Sequence, residues 1–165
     1  MCCRRTDLLK IPCSAEIFAD NNKIIINKKC NGKSLKLDNV GSGPGRDMID
    51  VLNNNDVLAQ KAHVRNIYPA TDALEIGRSL VKTINLTSSF SFVPKPINEV
   101  QPRNADILLV IGIFCSLKTR VCKAVLKGLE THICPGGIII YSTAQERMLR
   151  DDPLTDFIMD FQVGE

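Results

Sequence analysis

From Ser34 onward, short apolar runs alternate with amphipathic segments, and this alternation constrains the fold more than any other feature of the chain. Strands separated by crossover helices pair in parallel, so the pattern specifies an α/β architecture of βαβ units. A first strand is expected over about Ser34 to Val40. It runs directly into Gly41-Ser42-Gly43-Pro44-Gly45, and a helix begins near Arg46. His63 to Ile67 reads as a second short strand. Ala73, Ile76, Gly77, Leu80, Val81 and Ile84 then recur at helical spacing, which predicts one buried face, with Thr71 or Asp72 as the N-cap. Phe90 to Val93 supplies a third strand, stopped by Pro94 and Pro96, whose missing N–H groups exclude them from a central ladder.

The fourth strand is expected within Ala105 to Cys115, where Ile107-Leu108-Leu109-Val110-Ile111 is apolar without interruption, as in a parallel strand covered on both faces. Val121, Ala124, Val125, Gly128 and Leu129 predict the buried stripe of the next helix, and Lys118, Arg120, Lys123 and Lys127 its solvated side. Cys134-Pro135-Gly136-Gly137 reads as a turn, Ile138 to Tyr141 as a fifth strand, and Pro153 to Phe161 as a final helix. With right-handed crossovers these elements make an open, doubly wound, mostly parallel five-stranded sheet with helices on both faces. Residues 1–33, with a short helix over Ser14 to Asp20, read as an N-terminal extension, and residues 34–165 as the domain.

Charge and cysteine usage narrow the function classes. Twenty-one Lys+Arg against 18 Asp+Glu leave a formal charge of +3, too small and too dispersed for a nucleic-acid partner. The longest apolar run is about half of the roughly 20 residues a membrane span needs. No apolar segment follows the basic N-terminus, so neither membrane nor secretion is expected, and the location expected is cytoplasmic. Seven cysteines without a C-x-x-C pair read as reduced thiols, with no metal site. His63 and His132 read as surface or capping residues.

The glycines at 41, 43 and 45 let a ligand approach the backbone closely. A dinucleotide fingerprint would place its third glycine at position 46, where Arg46 stands, and Pro44 interrupts the loop; a nicotinamide-dependent oxidoreductase is therefore the most distant alternative. Leu37-Asp38-Asn39-Val40-Gly41-Ser42-Gly43-Pro44-Gly45-Arg46-Asp47 resembles the first motif of class I S-adenosylmethionine-dependent methyltransferases. Ala73-Leu74-Glu75-Ile76-Gly77 is similar to the segment after the second strand of those enzymes. Asn104-Ala105-Asp106-Ile107-Leu108-Leu109-Val110 resembles their fourth-strand motif, and Ile133-Cys134-Pro135-Gly136-Gly137-Ile138-Ile139-Ile140 the turn before their fifth strand.

This resemblance, over about Ser34 to Thr143, implies a Rossmann-like methyltransferase fold with S-adenosylmethionine as cofactor. It places Gly41, Ser42, Gly43 and Gly45 beneath the methionine and ribose. Asn39 takes the position of the carboxylate that meets the cofactor's ammonium group, while strand alternation points Asp38 to the other face. Tyr68 stands where the family has an acid that accepts both ribose hydroxyls, with Asp72 the nearest carboxylate. Gly112 and Ile113 line the methionine end, and Lys95 and Ile97 flank the adenine. The family sheet continues past its fifth strand, so the domain is expected to be shortened at its C-terminus, with an open sheet edge available for self-association.

The expected function is methyl transfer to a small-molecule acceptor. The alternative is a shortened, catalytically degenerate domain that serves as a binding or interaction module. In-line methyl transfer depends mainly on positioning, so no catalytic residue is assigned; Asp47, Cys115, Tyr141 and Ser142 are the polar candidates near strand ends.

Overall fold

The computed structural model describes residues 7–11, 34–114 and 117–142. In chain order the elements are β1 (Asp7–Ile11), β2 (Leu35–Val40), α1 (Arg46–Asn53), α2 (Asp56–Lys61), β3 (Ala62–Ile67), α3 (Thr71–Thr83), β4 (Phe90–Val93), β5 (Ala105–Val110), α4 (Thr119–Leu129) and β6 (Ile133–Ser142). The strands form one sheet in the order β1-β6-β5-β2-β3-β4, and every neighbouring pair is parallel. From β2 the chain moves outward through β3 to β4, then returns to the other side of β2 as β5 and continues to β6. The order therefore reverses between β2 and β5, and ligands of open α/β sheets bind beyond the carboxyl ends of the strands at such a point. All five strands expected from the sequence are present in the expected α/β arrangement.

Strand alternation divides the core into two layers. Leu37, Val64, Ile107, Leu109 and Ile140 face Met48, Ile49 and Leu52 of α1, Leu58 of α2 and Val81 of α3. Val40, Ile67, Leu108, Val110 and Ile139 face Cys122, Val125, Leu126 and Leu129 of α4. Apolar residues on both sides of β5 thus explain its uninterrupted run. On the α4 face Asp38 is completely buried. It accepts from Arg65 Nε at 3.0 Å and Nη2 at 2.5 Å, and from Arg103 Nε at 2.7 Å. Arg103 also donates to the carbonyls of Leu37 and His63, so this one ion cluster ties β2, β3 and the approach to β5 together. No helix among the described residues is long and apolar enough to cross a membrane.

The structure departs from the sequence reading at five places. The edge of β6 expected to be open is paired: β1, drawn from the segment read as an extension, lies against it from Asp7↔Ile138 to Ile11↔Ser142, making six strands. In α3, Leu74 is buried and Ile76 is 57% exposed. The cause is Gly77, where a Cβ would lie 2.3 Å from the Pro44 carbonyl oxygen and 2.7 Å from the Phe92 ring. The helix is pressed onto the glycine turn at that point, which rolls Leu74 inward. Its N-cap is Ala70, which has no side-chain acceptor, rather than Thr71 or Asp72.

In α4 the buried stripe is shifted by one residue, through Cys122, Val125, Leu126 and Leu129, leaving Val121 44% exposed. The Cys134 to Gly137 turn is a bulge within β6: Ala105 pairs with Ile133 but Ile107 pairs with Ile138, with Gly136 at φ 76°. His132 is buried instead of lying on the surface, and its desolvated imidazole is held below the usual 6.5. The helices expected over Ser14–Asp20 and Pro153–Phe161 lie outside the described residues.

Candidate functional site

The turn that links β2 to α1 stands at the reversal of strand order. Gly41 N–H donates to the Ile67 carbonyl at 3.0 Å, which ties the turn to the end of β3. Gly45 N–H donates to the Ser42 carbonyl at 2.8 Å and closes the loop, and Ile49 N–H reaches back to the Gly45 carbonyl at 3.1 Å as α1 begins. Gly45 is the N-cap of α1 at φ 76°, so no side chain caps the helix there. A Cβ at Gly45 would lie 2.1 Å from the Asn66 amide. Only glycine leaves room for that side chain to come beneath the turn.

Asn66 and Asn39 are directly opposite each other in the β2–β3 register, and both are completely buried. Asn39 Nδ2 donates to Asn66 Oδ1 and to Asp47 Oδ1, each at 3.1 Å. Asn39 Oδ1 and Asn66 Nδ2 have no partner among the described residues. Asp47, in the first turn of α1, keeps part of its surface open although protein encloses most of its carboxyl; that burial raises the carboxyl above its ordinary 3.8, opposed by hydrogen bonds from Met48 N–H and from Asn39. Asp47 is one of the polar candidates near the strand ends, and Asn66 is a site residue that the sequence does not single out. The available signal was an acidic residue in the first turn of a helix whose cap is glycine.

The wall opposite the turn comes from the segment after β5. Ile113 packs onto Gly41, 2.5 Å from where a Cβ would stand, and Gly112 N–H donates to Ser142 Oγ at 2.9 Å. Among the described residues, a Cβ on Gly43 or on Gly112 would meet nothing within 4 Å. The structure therefore brings Asn39, Gly41, Ser42, Gly43, Gly45, Gly112 and Ile113 to one region at the carboxyl ends of β2 and β5. Tyr68 stands half-buried just past β3, its N–H donating to the Val93 carbonyl at 3.2 Å. Asp72 is exposed in the first turn of α3 and belongs to no contact with the glycine turn that the hydrogen bonds define.

Among the other polar candidates, Ser142 is buried and serves as the acceptor that orders Gly112. Tyr141 packs edge-on against Phe114 with ring centroids 5.7 Å apart. Cys115 lies outside the described residues. Of the adenine-flanking pair, Lys95 is exposed and Ile97 packs into the α4-side core. A groove of about 450 Å³ between α3 and β4, lined by Arg78, Lys82, Phe90 and Phe92 among others, contains none of the anticipated site residues.

Comparison with known proteins agrees with the fold. A putative O-methyltransferase from Nostoc punctiforme superposes with a TM-score of 0.59 at 18% identity, over 76% of this chain and 38% of its own. A putative S-adenosyl-L-methionine-dependent methyltransferase from Methanococcus maripaludis gives 0.59 at 18% identity, over 89% of this chain and 73% of its own. The magnesium protoporphyrin IX methyltransferase of Synechocystis, solved with S-adenosylmethionine bound, gives 0.58 at 12% identity, over 70% of this chain and 52% of its own. The chain thus spans well under two thirds of the first and third of these proteins. No curated protein matches the sequence. A family model described as "Putative methyltransferase" matches residues 16–147, most of the chain, and the chain belongs to that methyltransferase family.

Proposed function

We propose that the glycine turn binds S-adenosylmethionine and that the chain acts as a methyltransferase domain on a small-molecule acceptor in the cytoplasm. The observation that carries this reading is the open space that the described residues leave over Gly43 and Gly112 at the reversal of strand order, in a chain that a methyltransferase family model matches. The groups present fit such a cofactor. Gly41, Ser42, Gly43 and Gly45 offer a floor without side-chain bulk, and Gly112 and Ile113 form the wall toward the methionine end. Tyr68 and Asp72 stand on the ribose side; a tyrosine hydroxyl supplies one hydrogen bond where a carboxylate would accept two. The cofactor supplies an electrophilic methyl group on sulfur, and the chain's contribution is to hold it in line with the acceptor atom. The small net charge supports a small molecule over nucleic acid as acceptor.

A second reading, a binding or interaction module without turnover, is favoured by Tyr68 at the end of β3 and by the exposure of Asp72. Calorimetric titration of the full chain with S-adenosylmethionine and with S-adenosylhomocysteine separates the two. Saturable micromolar binding, about −8 kcal/mol, that disappears in Gly43→Arg while the melting transition is kept, is the expected result. No binding by the folded chain overturns the cofactor assignment and leaves the module.

A further inference from the structure

The groove between α3 and β4 holds none of the residues of the glycine turn. Phe90 and Phe92, two residues apart on one face of β4, give it an aromatic floor, their rings 6.3 Å apart between centroids and 21° apart in plane. Val81 of α3 extends the apolar lining, and Thr87 and Ser91 add hydroxyls. The space measures about 450 Å³, within the roughly 300–1,000 Å³ usual for small-molecule sites. Two cations line it as well. Arg78 and Lys82 are four residues apart on α3 and so share a helix face, where like charges repel. Arg78 is already oriented: Nη1 donates to Glu75 Oε1 at 2.5 Å, Nη2 donates to the Phe92 carbonyl at 3.3 Å, and the guanidinium carbon lies 5.5 Å from the centre of the Phe92 ring. Glu75 balances one positive charge. Lys82 is exposed and has no ion pair among the described residues, so the groove keeps one cation uncompensated.

We propose that this groove binds a small aromatic carboxylate, its ring against Phe90 and Phe92 and its anionic group between Arg78 and Lys82. Charge complementarity selects the anion, because a cation would meet two like charges and a neutral ring would leave Lys82 without a counter-charge. The backbone argues for a small molecule over an added strand. Among the described residues β4 is an edge strand. Its Val93 carbonyl points to β3, where Tyr68 N–H donates to it at 3.2 Å, so by alternation the Phe92 carbonyl points to the free edge. Arg78 occupies that carbonyl, which an incoming strand would need.

The test titrates the full-length chain, followed by calorimetry and amide NMR, with three probes: naphthoate, naphthylmethanol, which keeps the ring and lacks the charge, and acetate, which keeps the charge and lacks the ring. Naphthoate is expected to saturate with a sub-millimolar Kd, to shift amide signals of α3 and β4, and to bind about fivefold tighter than either other probe. Lys82→Glu, an exposed substitution, should weaken naphthoate by about fivefold and leave naphthylmethanol unchanged. The same reversal at Lys123, exposed on α4, should leave both unchanged. Phe92→Leu keeps apolar bulk and removes the ring, and should weaken both naphthyl probes by about threefold. Naphthoate binding should persist in Gly43→Arg, which fills the glycine turn and not the groove. No saturable naphthoate binding by the folded chain up to about 5 mM overturns the proposal. Equal affinity for the two naphthyl probes, equal losses in Lys82→Glu and Lys123→Glu, or unchanged affinity in Phe92→Leu overturns it as well. Loss of naphthoate binding in a folded Gly43→Arg places the probe at the glycine turn and has the same effect.

Discussion

Asp38 and Asp47 belong to one strand–turn–helix unit, yet the fold treats them in opposite ways. Asp38, on the α4 face, has its two oxygens taken by two guanidinium groups that are themselves anchored on backbone carbonyls. Asp47, on the other face, is held among the described residues by neutral amides alone and repelled by Asp50. A buried charge whose requirements are met within the chain belongs to the architecture. One whose requirements the described residues leave unmet is a cost that the fold carries beside the glycine turn.

The sharpest break of this contrast is Asp38→Ala, which takes from Arg65 and Arg103 the carboxylate they share, leaving Arg103 the attraction of Asp106 alone, and is expected to destabilise the chain by about 3–5 kcal/mol, read from urea denaturation. A loss below about 1 kcal/mol would mean that the cluster is not the staple described. Gly45→Ala comes next, because a Cβ would be strained at φ 76° and would collide with Asn66. A loss of about 2 kcal/mol is expected, together with weakened S-adenosylhomocysteine binding; full binding by this variant would detach Asn66 from the site.

Asp47→Asn should act in the opposite direction on stability, a gain on the order of 1 kcal/mol at pH 7. The sign follows from linkage. The folded-state carboxyl titrates above the ordinary 3.8, so its ionisation opposes folding at neutral pH; the penalty fades as pH falls through the folded value and is gone below 3.8. Melting curves of the variant and the parent chain should therefore converge in acid, and a gap that widens there would contradict the assignment. The smallest effect belongs to Asp50→Asn. Its side chain is 60% exposed and pairs with Arg46 only at 3.8 Å, so stability should shift by less than about 0.5 kcal/mol. The Asp47 carboxyl should titrate somewhat lower in that variant, as carboxyl NMR can follow.

The β2–glycine turn–α1 unit was legible because each of its signals is local: an apolar run, three glycines at alternate positions, a helix immediately after. Asn39 could be named from its place before Gly41. Asp47 as its partner could not, because the hydrogen bond depends on how α1 rotates after a glycine cap. Helix faces were misread for a related reason. In α3 both Leu74 and Ile76 fall at helical spacing from Val81 and Leu80, and the contact of Gly77 with Pro44 decides between them. In α4, Val121 and Cys122 offer two adjacent stripes that periodicity cannot rank. Strand β1 was missed because five residues carry little pattern and its partner lies at the other end of the chain.

That pairing has a consequence for how the molecule is made. Emerging from a ribosome, β1 comes out first among the described strands and β6 last, so the ladder from Asp7↔Ile138 to Ile11↔Ser142 cannot begin until almost the whole sheet has been synthesised. Contacts of such long sequence separation form slowly, because a large loop must close before any hydrogen bond rewards it. During that interval the outer edge of β6 is a bare template for any other strand, and docking of β1 is the step that ends the exposure.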